Sequence, residues 1–168
     1  MNSNSTAQRW YWIVGVSLTL LTVLGWLNSP IDRTTGRPLL IIPEVKAVHD
    51  YQVNARTWIS QFQVLDAEIS GLLIESSGDL FSRSSQANHA VEAAVAQVQI
   101  IDRTEAPLSL TSLHQGFNQA ALAYLEAARS ALVWVSTPSD DKLADAKAKL
   151  ETARQQVDQL SQSEWLVP

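Results

Sequence analysis

The chain has no cysteine among its 168 residues. That absence excludes disulfides, thiolate metal sites, c-type haem attachment and cysteine nucleophiles together. It suits an oxidising compartment without requiring one. Glycine and proline are scarce, six of each, and most fall outside the periodic segments. Such punctuation argues for long helices over many short strands. Basic residues are few and dispersed: twelve Lys and Arg stand against seventeen Asp and Glu, for a formal net charge of -5. Nucleic acids and anionic lipid headgroups both require clustered basic residues, so neither is an expected partner.

Catalytic signatures are missing too. There is no Gly-x-Ser-x-Gly elbow and no glycine-rich phosphate loop. His49, His89 and His114 fall on three different expected helices, and none belongs to a His-x-x-x-His or Glu-x-x-His pair. The di-iron pattern of helical bundles needs such a pair twice over. Asp66 and Glu68, two positions apart, do not share a helix face, and Asp140 with Asp141 reads as acid at a helix start. The expectation is a non-enzyme without cofactor or metal.

What the chain does possess is one long apolar run. Residues 10 to 27, Trp-Tyr-Trp-Ile-Val-Gly-Val-Ser-Leu-Thr-Leu-Leu-Thr-Val-Leu-Gly-Trp-Leu, hold eighteen positions without a charge, bracketed by Arg9 and Asn28-Ser29-Pro30. With its flanking turn the run meets the length of a membrane-spanning helix, about 20 residues at about 1.5 Å rise each. Trp10, Tyr11 and Trp12 at one end and Trp26 at the other suit the two headgroup layers. Gly15, Thr19 and Thr22, with Gly25 nearby, form a small, weakly polar stripe of the kind that lets helices pack closely in lipid. The alternative, a cleaved signal peptide, lacks support, since the region around Leu24 to Pro30 has no Ala-x-Ala pattern and carries a proline just after Ser29. Orientation rests on weaker signals. Arg9 stands before the run and Arg33, Arg37 and Lys46 after it, which the positive-inside rule reads as placing the following domain inside. That excess is small and dispersed, and an uncleaved N-terminal span most often acts as a signal anchor, so the expected arrangement has the domain on the extracytoplasmic side.

Residues 28 to 42 read as an extended linker, punctuated by Pro30, Gly36 and Pro38 and followed by Pro43. It ends in Leu39-Leu40-Ile41-Ile42, an apolar run with three open destinations: its own domain, the bilayer surface or another protein. From Pro43 the pattern turns helical. The expected helices cover about 43–76, 84–103, 107–136 and 139–163. Their seams repeat at alternating spacings of three and four: Val48, Tyr51, Ala55, Trp58, Phe62, Leu65, Ile69, Leu72; then Ala87, Val91, Ala94, Val98, Ile101; then Leu110, Leu113, Phe117, Ala120, Tyr124, Ala127, Ala131, Trp134; then Leu143, Ala146, Leu150, Ala153, Val157, Leu160. Aromatics on the first and third seams lie opposite alanine-rich ones, the second seam being small, as volume matching in a core requires.

The expected fold is therefore all-α: an N-terminal tail (1–9), a transmembrane helix (10–27), the linker, and an antiparallel up-down four-helix bundle (43–168). The same seams permit homo-oligomers. An even number of helices returns the C-terminus to the end where the bundle begins, which makes Trp165 and Leu166 partner-contact candidates beside Leu39, Leu40, Ile41 and Ile42. The expected function is that of a non-catalytic, single-span accessory subunit among other integral membrane subunits. A bioenergetic electron-transfer complex is compatible with such a subunit and not indicated by it. In outline an anchored extracytoplasmic four-helix bundle also resembles the sensor domains of chemoreceptors, though those carry a second span and a cytoplasmic signalling portion; a ligand-binding bundle is the second expectation.

Overall fold

The computed structural model describes residues 43–74 and 79–166, together with Ser17 and Thr19. The chain divides into two compact units, Met1–Lys46 and Ala47–Pro168. In the first, Ser17 and Thr19 are helical and exposed. The rest of the run at 10–27 and the linker at 28–42 lie outside the described residues. Among the described residues, no helix is long and apolar enough to cross a membrane.

The second unit is all-helical and forms a four-helix bundle. Its helices are α1 (Pro43–Ile74), α2 (Leu80–Asp102), α3 (Thr111–Ser136) and α4 (Asp140–Ser161), with a single 3-10 turn at Leu108–Leu110 before α3. Contacts fix the direction of each helix, beginning with α2 and α3, which run oppositely because Arg83 at the start of one lies over Trp134 near the end of the other. Along α1 and α3 the neighbours rise together, Tyr51 beside His114, Trp58 beside Phe117 and Phe62 beside Tyr124, so these two run parallel. Between α1 and α4 they run oppositely: Gln52 meets Trp165, and Asp66 meets Arg154. The α3–α4 pair is likewise antiparallel, with Gly116 near Leu160 and Ser130 near Lys149. Up-down-up-down order follows, and α1 lies across the core from α3.

The seams explain why these segments bury the faces they do. On α1 the buried side chains are Tyr51, Ala55, Trp58, Phe62, Leu65, Ile69 and Leu72, joined by Leu73, as the three-and-four spacing predicts. Val48 is only half-buried. On α3 and α4 the predicted seams are buried from Leu110 to Trp134 and from Ala146 to Leu160, with Leu143 partly exposed. Burying each large apolar side chain contributes about 1.5–3 kcal/mol, so the six core aromatics and their aliphatic neighbours dominate the stability.

Helix α2 departs from expectation twice. It begins at Leu80, four residues before the predicted Ser84, because extended Asp79 ends the preceding segment and its carbonyl accepts from Arg83 N. The serines that resemble caps lie within the helix; the Ser84 carbonyl accepts from Asn88 Nδ2. Its buried face is also turned. Ala87, Ala90, Ala94, Gln97 and Ile101 are buried, whereas the predicted Val91 and Val98 pack at the margin. A seam of small side chains tolerates such a rotation, since alanine and valine differ little in what they fill.

Two turns are also more specific than their composition. Pro107 leads into the 3-10 turn, closed by Leu110 N donating to Pro107 O at 2.8 Å, so α3 itself starts at Thr111 and not at 107. At α4 the cap is Ser139, whose Oγ accepts from Lys142 N, with Asp140 and Asp141 in the first turn; Thr137 and Pro138 precede it.

Both described glycines test this packing. A Cβ on Gly116 would come 2.7 Å from Leu160 Cδ2, while one on exposed Gly71 would meet nothing within 4 Å. Leucine at 116 would press on a buried neighbour, at the upper end of overpacking costs, about 3 kcal/mol, which outweighs about 1 kcal/mol of gained helix propensity. Chemical denaturation of Gly116→Leu is expected to show a loss of about 2 kcal/mol. Gly71→Ala is expected to leave stability unchanged or raise it by up to about 1 kcal/mol.

Candidate functional site

The bundle end at which α1 begins also receives the α2–α3 turn and the segment after α4. There the chain folds back after Ser161: Ser163 N donates to Leu160 O, and Leu166 N to Ser163 O at 2.9 Å. Leu166 is buried at 7% exposure, while Trp165 keeps 44%. Gln52 Nε2 donates to Trp165 O at 2.8 Å and ties this turn to α1. Leu166, expected as an outward contact, is thus the plug that sets the turn, and Trp165 is the side chain it presents. The α2–α3 turn adds Leu108, 97% exposed. Thr19 is the one predicted stripe residue described; Gly15, Thr22, Trp10, Tyr11, Trp12, Trp26 and Leu39 to Ile42 lie outside the described residues.

Between the first half of α3 and the second half of α4 runs a groove of about 330 Å³. Its floor is Leu113 and Leu160. Ser112, Gly116 and Gln119 come from α3 at helical spacing, and Gln156, Gln159 and Ser163 from α4. Ser109 and Trp165 complete it, so no charged side chain lines the groove. In the sequence these residues show only as uncharged polar positions repeating beside both seams. Gln156 Oε1 is buried without a hydrogen-bond partner.

Charged groups elsewhere hold helices to one another. Arg154 Nε and Nη2 donate to the two oxygens of Asp66 at 2.7 and 3.0 Å, and Nη2 also donates to Ser70 Oγ at 2.7 Å. Tyr124 OH reaches Asp66 Oδ1 at 3.4 Å. The carboxylate therefore joins α1, α3 and α4, and its hydrogen bonds raise the Arg154 pKa. On the other side of α1, Glu68 lies 3.6 Å from His89 of α2. Arg83 rests 4.8 Å from the Trp134 ring centroid, and its Nε and Nη2 have no hydrogen-bond partner there. Among the described residues no group of three or more His, Asp or Glu could hold a metal ion.

Two phenols sit within the core. Burial pushes the Tyr51 hydroxyl up to about 12 from its ordinary 10.0, and Tyr51 OH lies 3.0 Å from His114 Nδ1. Burial, with the Asp66 carboxylate adding to it, also pushes Tyr124 up. A raised folded-state pKa means that the unfolded chain gives up its proton first as pH rises. The Tyr51 contribution is complete below pH 10.0 and drains away between there and about 12, and that of Tyr124 begins to decline from the same lower bound. Denaturation midpoints are expected to fall through that window, and the Tyr51→Phe/Tyr124→Phe double variant to fall less steeply. No family model, curated protein or solved structure matches this chain.

Proposed function

We propose that the protein is a non-catalytic accessory subunit of a membrane complex, tethered by a span at residues 10 to 27 and meeting its partners through that span and the adjoining end of the bundle. The observation that carries this reading is that both turns at the α1-start end hold a large apolar side chain outward, Leu108 and Trp165. Isolated exposed leucines are ordinary, but one on each of two turns at the end reached directly from the linker is a concentration of apolar surface where a tethered domain meets its neighbours. Charge favours a protein partner over anionic lipid at that end. Glu44, Asp50, Asp102, Glu105 and Glu164 stand there against Lys46 and Arg103, and an acid-leaning face is repelled by a negative surface.

Within the span, Gly15, Thr19 and Thr22 supply the close-packing stripe, and Trp10, Tyr11, Trp12 and Trp26 the headgroup anchors. Leu39 to Ile42 extend the contact along the membrane plane. The domain stands on the extracytoplasmic side in this reading.

Affinity purification of the full chain from its own membranes in mild detergent tests the reading. The expected result is a defined assembly with at least one other integral membrane protein. Gly15→Leu/Thr19→Leu and, separately, Leu108→Glu should each reduce its recovery several-fold without shifting the thermal unfolding of the bundle. Elution as a lone, stable monomer would contradict it.

A further inference from the structure

The α3–α4 groove carries a chemistry that the accessory reading does not use. Its walls bear three carboxamides and three hydroxyls, its floor is aliphatic, and it contains no ionisable side chain. Phosphates, carboxylates and ammonium groups would find no counter-charge there, so the lining selects against charged ligands. Carboxamides and hydroxyls each offer both donors and acceptors, which suits a neutral molecule with many groups that are themselves both donor and acceptor.

Three further features narrow the class. Gln156 and Gln159 of α4 face Gln119 of α3 across the groove, so carboxamides line both walls. Trp165 borders the groove with its ring partly exposed, and its backbone is fixed by Gln52 and by the buried Leu166. A large flat apolar face is thus held ready and need not be ordered on binding. Gly116 completes the shape. Because a Cβ there would strike Leu160 at 2.7 Å, the missing side chain is what lets α3 approach α4 and leaves the floor narrow and smooth.

A flat apolar face beside a hydroxyl- and amide-lined wall is complementary to a sugar ring, which has C–H groups on its faces and hydroxyls around its rim. We propose that this groove binds a neutral carbohydrate, with one ring against Trp165 and its hydroxyls meeting Gln156, Gln159 and Gln119. The volume, about 330 Å³, lies at the low end of small-molecule sites and suits a short glycan segment. The site shares Trp165 with the accessory reading but not its groove walls, and sugar binding and co-purification of a partner are read separately.

The test is calorimetric titration of the full chain, held in a detergent without a sugar headgroup, with chitotriose, cellotriose and maltotriose, and with trialanine as the neutral peptide control. At least one trisaccharide is expected to bind saturably with a Kd of about 10 μM to 1 mM. Trp165→Ala and Gln156→Leu should each weaken that binding tenfold or more, and Leu108→Glu should leave it unchanged. Circular dichroism and the thermal unfolding midpoint check that each variant is folded, and Gln159→Ala, at an exposed position, provides a second groove variant if Gln156→Leu does not fold. Three outcomes would overturn the proposal: no trisaccharide binding up to about 10 mM, binding indifferent to the groove variants, or saturable binding of trialanine in place of the sugars.

Discussion

Aromatic rings of α1 meet aromatic rings of α3 across the middle of the bundle, and the other two helices are sized around that contact. Trp58 lies edge-on to Phe117 at 5.3 Å, and Phe62 stacks on Tyr124 at 5.3 Å with their planes 11° apart. Tyr51 continues the row, edge-on to Trp58 at 5.5 Å. Such pairs contribute about 0.5–1.5 kcal/mol each beyond the area they bury. Small side chains make room for this row, on α3 itself at Ala120, Ala127, Ala128 and Ala131 and on the two flanking helices. There Ala87, Ala90 and Ala94 on α2 and Ala146 and Ala153 on α4 are all fully buried.

Packing alone leaves some freedom of register where alanines meet alanines, as at Ala146 and Ala153 of α4. Polar contacts remove that freedom. The Asp66–Arg154 pair fixes α4 against α1, and Lys149 Nζ donating to Ser130 Oγ at 2.8 Å fixes α4 against α3. Each is partly exposed, so its net contribution is modest, but a register shift would break it. With α4 held in this register, Leu166 reaches the core, Trp165 is presented beside the groove, and Leu160 lies against Gly116. Both proposed surfaces therefore depend on the same alignment of α4.

Much of this was legible. The seams on α1, α3 and α4 stand out because Trp, Phe, Tyr and Leu recur against polar neighbours, and four such segments with short turns imply a bundle. On α2 the spacing points to Val91 and Val98 because alanine and valine alternate around most of the helix, and the polar Gln97 lies on the face that is buried. The start of α2 was obscured by Ser82, Ser84 and Ser85, which resemble caps from composition alone. Leu166 looked like an outward residue because nothing local marks a chain reversal after Ser161. The Asp66–Arg154 pair joins residues 88 apart and leaves no periodic trace. The groove was hidden for the same reason: its two walls come from separate helices, and only their juxtaposition makes Gln119, Gln156 and Trp165 one site.

The central claim is that α1 and α3 hold the bundle together through ring contact across the core. A double-mutant cycle on Trp58→Leu and Phe117→Leu, read by chemical denaturation of the full chain, tests it most directly. Ring contact predicts a coupling energy of about 0.5–1.5 kcal/mol between the two positions. Additive effects, agreeing within about 0.3 kcal/mol, would show that the rings do not meet and would contradict it.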